Sequence, residues 1–119
     1  MLFRSPDVEV LGDKEDADLL IVGFGSTFGH LYSAMTEMKK EGKKVALAQF
    51  KYLNPLPKNT AEVLKRYRKV VVAEQNLGQF AAYLRMKVDC FVPYQYNEVK
   101  GQPFQVSELV ASFNHILSL

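Results

Sequence analysis

The chain predicts an α/β fold with a doubly wound, mostly parallel sheet, on three observations. Short apolar runs alternate with amphipathic stretches along its 119 residues, the pattern of repeated strand–helix–strand units. The runs at 18–23 and 69–74 are continuously apolar between their ends, as suits central strands covered on both faces. Each run is followed by Gly, Pro or Asn before apolar residues recur at helical spacing. There is no internal repeat and no low-complexity tract.

The elements follow in order. Residues 8–11 (Val8, Glu9, Val10, Leu11) read as a fifth, antiparallel edge strand before a charged turn at 13–16. Residues 18–23 form the first strong strand. Ser26 or Thr27 then opens a helix whose Leu31, Ala34, Met35 and Met38 share one face. Lys39 and Lys40 suit its last turn, and Gly42 suits its stop. Residues 44–50 form the second strand, broken by Asn54, Pro55 and Pro57. Asn59 and Glu62 have capping-box spacing, so a short helix is expected through about Tyr67, with Ala61, Leu64 and Tyr67 inward. Residues 69–74 are the most β-branched segment and form the third strand. A helix over 78–87 turns Phe80, Ala81 and Leu84 to the sheet, and 89–92 form a fourth strand closed by Pro93. Residues 95–103 read as a polar loop. Ser107 opens a last helix with Leu109, Val110, Phe113, Ile116 and Leu117 in one stripe. The whole reads as a single domain over 1–119, with 1–16 an extension or edge strand and 17–119 the α/β core.

Composition narrows the function classes. A net charge of +2 gives no electrostatic case for a nucleic-acid partner. The basic cluster Lys65, Arg66, Arg68 and Lys69 suits a helix C-terminus. One cysteine, Cys90 in an apolar run, excludes an internal disulfide and reads as a small core residue. His30 and His115 lack Cys or His companions at ligand spacing, so no metal site is expected. The sequence shows no signal region and no apolar run of membrane-spanning length, so the expected setting is cytoplasmic, with no membrane partner.

Parallel strands joined by right-handed crossovers put their C-terminal ends on one rim, where open α/β sheets bind ligands. Three such ends here are polar or glycine-rich: 23–27, Gln49, and 74–76. Gly23, Gly25 and Gly29 fall short of a dinucleotide fingerprint, because Phe28 stands at the third glycine position and Gln49 where a ribose-binding acid belongs. Two readings stand for Gly25, Ser26 and Thr27: a tight turn with a capping serine, or a helix N-terminus able to hold a phosphate or carboxylate. Two also stand for Glu74, Gln75, Asn76 and Gln79: a turn with Asn76 capping the next helix, or polar groups hydrogen-bonding across an interface. No residue is assigned as catalytic, since no nucleophile–base pair lies near. Tyr52, Tyr83, Tyr94 and Tyr96 add aromatic surface. The run 91–96 is either an exposed patch or a strand end folded back on its own core.

Taken in order, 22–29, 51–57 and 71–79 resemble the C-terminal domain of the alpha subunit of 2-oxoacid:ferredoxin oxidoreductases, of the 2-oxoglutarate type, over residues 17–112. Asn54 departs from the pattern, standing before Pro55 where the family often has a large aromatic; that alters the packing of the turn and leaves the resemblance intact. The resemblance implies a transketolase C-terminal-like fold, a three-layer α/β/α sandwich with a mostly parallel five-stranded sheet. It implies an enzyme that decarboxylates a 2-oxo acid on thiamine diphosphate, passes electrons through iron–sulfur clusters to ferredoxin, and forms an acyl-CoA. It implies that this domain holds no cofactor alone: thiamine diphosphate, Mg and the clusters lie elsewhere, and one cysteine cannot ligate a four-thiolate cluster. The implied partners are the remaining alpha-subunit domains, the beta subunit and, for the whole complex, ferredoxin. The domain itself would pack subunits and shape one wall of the substrate or CoA approach, and the isolated chain would be inactive. The alternatives are a free-standing small-anion or nucleotide-binding domain, or the related domain of a transketolase or 2-oxoacid dehydrogenase beta subunit.

Overall fold

The computed structural model describes residues 8–13, 15–24, 27–50, 59–74, 79–88, 93–97 and 104–119. Within them lie five strands, β1 (Val10–Gly12), β2 (Leu19–Phe24), β3 (Val45–Phe50), β4 (Val70–Glu74) and β5 (Tyr94–Asn97). Four helices connect and cover them: α1 (Phe28–Lys40), α2 (Thr60–Arg66), α3 (Gln79–Lys87) and α4 (Val106–Leu117). The strands form one sheet in the order β1-β3-β2-β4-β5. β3, β2, β4 and β5 are parallel, and β1 joins β3 antiparallel at the edge. The three central strands expected from the sequence are therefore neighbours pointing one way, and the N-terminal segment supplies the antiparallel edge.

The period of two along each strand divides the core. Leu19 and Ile21 of β2, Val45 and Leu47 of β3, and Val71 and Ala73 of β4 face α1 and α4. Leu20 and Val22, Ala46, Ala48 and Phe50, and Val70 and Val72 face α2 and α3. Leu19 through Val22 are all fully buried, which is why β2 reads as an unbroken apolar run. Helices on both faces make three layers. Edge strand β5 is half-exposed, and Tyr96 turns back onto the core, its ring 5.7 Å from Phe104 and 6.3 Å from Phe113. Of the run 91–96, Tyr96 thus follows the folded-back reading and Tyr94 is exposed, while 91–92 lie outside the described residues.

α1 ends as expected. Gly42 takes a φ of 86°, the left-handed conformation a side chain resists. Gly42 N–H donates to Lys39 O (3.0 Å) and Lys43 N–H to Met38 O (3.1 Å), the Schellman arrangement.

Several expectations are corrected. β5 begins at Tyr94, directly after Pro93, and runs to Asn97 inside the stretch 95–103 read as a polar loop, while the strand expected at 89–92 lies outside the described residues. Proline suits a position just before a strand, where its missing N–H interrupts no ladder. Asn59 and Glu62 form no capping box. The Asn59 amide instead accepts from Val8 N–H (2.8 Å) and donates to Val8 O (3.0 Å), pinning the N-terminal segment, and Glu62 pairs with Arg66 at 2.9 Å. On α2, Val63 and Leu64 face inward while Ala61 is exposed. α4 starts at Val106 behind an extended Gln105, which puts Ser107 inside the first turn. Lys69 serves a helix end, but that of α4: its ammonium donates to the carbonyls of Ile116 (3.1 Å), Leu117 (2.9 Å) and Leu119 (2.7 Å). At that same pole Asp16 bonds Lys44 at 3.1 Å, and this hydrogen bond raises the Lys44 ammonium above its ordinary range.

Candidate functional site at the strand ends

The C-terminal ends of β3, β2 and β4 form one rim, because Gly23 pairs with Gln49 and Phe24 with Phe50 across β2 and β3, while Val22 pairs with Val72 across β2 and β4. The alternation of faces splits the rim in two. Gly23 and Gln49 turn toward α1, and Phe24, Phe50 and Glu74 turn toward α3.

On the α3 side, Glu74 is buried, with 5% of its surface exposed. Its Oε1 accepts from Phe80 N–H and its Oε2 from Ala81 N–H, both at 2.8 Å. A carboxylate spread over two free amides at a helix N-terminus satisfies groups that the helix leaves unbonded and meets the positive end of its dipole. Glu74 therefore caps α3 from the preceding strand. Phe80, whose amide it holds, lies 5.5 Å from the Phe24 ring and 5.6 Å from the Phe50 ring. This one aromatic joins all three strand ends. The sequence placed Phe80 against the sheet but did not show it as the link. The available signal was an aromatic residue at the end of two adjacent strands.

On the α1 side, Gly23 is closely packed by neighbouring side chains. A Cβ there would stand 2.6 Å from Gln49 Oε1 and 3.0 Å from Thr27 Oγ1, and closer still to Leu31 Cδ1. Thr27 is buried just before α1, and its hydroxyl donates back to Phe24 O (3.3 Å) instead of capping the helix. Beyond it, Phe28 and Tyr32 stack at 5.6 Å and are 40% and 43% exposed.

The expected site residues thus sit as follows. Thr27, Glu74 and Gln79 lie on the rim, Gln79 exposed at the start of α3. Gly25, Ser26, Gln75 and Asn76 lie outside the described residues. Thr27 and Glu74 occupy opposite faces of the sheet, so the rim carries two polar clusters joined through Phe24 and Phe80.

A sheet of this order, covered on both faces and polar at its parallel strand ends, defines a doubly wound α/β domain of the transketolase C-terminal class. A split-gene transketolase shares the fold, with a TM-score of 0.67 at 20% identity over 93% of this chain and 42% of that one. The chain belongs to the family described as pyruvate:ferredoxin oxidoreductase core domain II, whose profile matches residues 17–109. It is 45% identical over 104 residues to the 2-oxoglutarate oxidoreductase subunit KorA of Mycobacterium tuberculosis, covering 87% of this chain and 16% of that one. It is 32% identical over 118 residues to the alpha subunit of 2-oxoacid:ferredoxin oxidoreductase 2 of Aeropyrum pernix, covering 96% and 18%. Among solved structures it superposes with a TM-score of 0.87 and 30% identity on a 2-oxoglutarate:ferredoxin oxidoreductase from Magnetococcus marinus with 2-oxoglutarate, coenzyme A and succinyl-CoA bound, over 95% of this chain and 20% of that one. The chain therefore spans less than a fifth of the length of the two curated relatives.

The donor set does not fit an iron–sulfur cluster, since the sequence contains one cysteine. Among the described residues, no three His, Cys, Asp or Glu side chains converge on a point that could hold a metal ion. Glu74, the buried carboxylate of the rim, has both oxygens committed to α3. Among the described residues no helix is long and apolar enough to cross a membrane.

Proposed function

We propose that this chain is a C-terminal module of the alpha subunit of a cytoplasmic, thiamine diphosphate-dependent 2-oxoacid:ferredoxin oxidoreductase, acting within the assembled enzyme. The observation that carries this reading is its superposition, over nearly its whole length, on an oxidoreductase that binds 2-oxoglutarate and coenzyme A. The assembled enzyme performs oxidative decarboxylation of a 2-oxo acid to its acyl-CoA, with ferredoxin as acceptor. Residues 17–119 are the core of one domain over 1–119, and its contribution is subunit packing and one wall of the substrate or CoA approach. The candidate residues for that wall are Gly25, Ser26, Thr27, Gln75, Asn76 and Gln79, with Glu74 holding α3 in place. Thiamine diphosphate, Mg and the iron–sulfur clusters belong to other domains, and the beta subunit and the rest of the alpha subunit are the direct partners.

The test is calorimetry and turnover on the purified chain. The expected result is no 2-oxoglutarate-dependent reduction of a viologen dye and no saturable heat with thiamine diphosphate and magnesium. Tight thiamine binding with turnover by this chain alone contradicts the proposal. Saturable binding of CoA or a nucleotide without partners favours a free-standing anion-binding domain instead.

A further inference from the structure

Residues 8–13 cross the outer edge of the sheet with little holding them. β1 is three residues long and pairs only with β3. Val8 and Val10 are buried in the apolar layer that faces α2 and α3, while Glu9 and Gly12 are exposed. A side chain fastens each end of the stretch. At its C-terminal end, Asp13 N–H donates to Val45 O (3.0 Å) and the Asp13 carboxylate accepts from Val45 N–H (3.3 Å), next to Gly12 at a φ of 86°. At its N-terminal end, the Asn59 side chain bonds both the N–H and the C=O of Val8, as a residue on a neighbouring strand would. That side chain makes no capping bond to α2.

We infer that residues 8–13 are a strap that opens and closes on the domain as one unit, with Asn59 as its latch. The strap is independent of the function proposed above, and it lies outside residues 17–109, the span of the family match. Segments with few buried contacts open ahead of the whole fold. Here Val8 and Val10 are the two buried side chains, and a ladder of three edge residues is marginal without further support. Asn59 supplies that support. Without it, the part-buried N–H and C=O of Val8 lose their partner, and an unpaired backbone group costs more than an unmade bond at the surface. Open, the strap uncovers the outer edge of β3, a row of unpaired backbone groups able to accept another strand. Closed, it guards that edge.

The experiment follows native-state amide hydrogen exchange by NMR in the full chain, for wild type, Asn59→Ala, Asn59→Asp and Glu62→Ala. Aspartate caps a helix as well as asparagine does but has no N–H to give Val8 O, so it separates a latch from a cap. Glu62→Ala removes an exposed ion pair from the same helix and leaves the strap contacts alone. In wild type, the Val8 and Asp13 amides are expected to exchange about a hundredfold faster than those of β2. Both Asn59 variants are expected to speed exchange by about tenfold at Val8 and also at Asp13, the far end of the strap, with β2 and β4 within twofold of wild type. Glu62→Ala is expected to leave the strap at wild-type rates. Wild-type strap amides as slow as those of β2 overturn the inference, because the strap then opens only with the whole fold. Faster exchange confined to α2, or at Val8 without Asp13, overturns it, as does an Asn59→Asp strap that exchanges like wild type.

Discussion

Replacing Glu74 with alanine is expected to lower the unfolding free energy by about 3 kcal/mol, measured by urea denaturation. The two amides it bonds, on Phe80 and Ala81, are buried and belong to the first turn of α3. Removing the carboxylate leaves both donors without their acceptor in a site closed to water, and each charge-assisted bond of this kind contributes about 1.5 kcal/mol or more. The stabilising helix-dipole contact is lost with them. Glu74→Gln keeps one acceptor oxygen but turns an NH2 toward an amide donor, so its loss should fall between zero and that of alanine. α3 also carries Phe80, which fills the space between Phe24 and Phe50, so the alanine variant should raise hydrogen exchange in α3 before the rest of the fold opens. A loss under about 0.5 kcal/mol for the alanine variant would mean that water or another group replaces the carboxylate, and Glu74 would not be what fixes the rim.

Gly23→Ala is expected to destabilise by about 2 kcal/mol, and Gly23→Val by more, read as a fall in melting temperature. Alanine at a glycine in extended backbone normally gains stability by restricting the unfolded chain. Here the added methyl meets the end of the fully buried Leu31 side chain and Gln49 Oε1 at 2.6 Å, so both must shift within a packed core. Relief requires the Leu31 and Gln49 side chains to repack between α1 and the sheet. An alanine variant as stable as wild type would show that these side chains repack freely and that close approach is not the reason for glycine.

The sequence-readable part of the fold was the part decided by local period. β2 is apolar throughout because it lies at the centre of three layers, and its flanking strands β3 and β4 show nearly the same pattern. The Gly42 stop was legible because a positive φ has few chemical solutions. Long-range partners were not. Asn59 has the spacing of a cap but pairs with Val8, 51 residues away, and Lys69 has the position of a closing cation for α2 but bonds the end of α4, 47 to 50 residues away. Local spacing identifies a residue able to bond a backbone group and does not say which one. β5 was missed because its alternation, Tyr94 and Tyr96 against Gln95, is short and follows a proline. At the site, the polar strand ends were visible, whereas the commitment of Glu74 to α3 depends on the angle at which that helix docks. The resemblance of 22–29, 51–57 and 71–79 to one oxidoreductase family agrees with the family match over 17–109.

The most direct test removes the segment matching residues 17–109 from an alpha subunit and measures 2-oxo acid-dependent acceptor reduction with the beta subunit, before and after adding this chain. The predicted result is loss of activity on removal, no activity from this chain by itself, and recovery when the two are mixed. Full activity without the segment, or turnover by this chain in isolation, would contradict the assignment of the chain as a module that works only in the assembled enzyme.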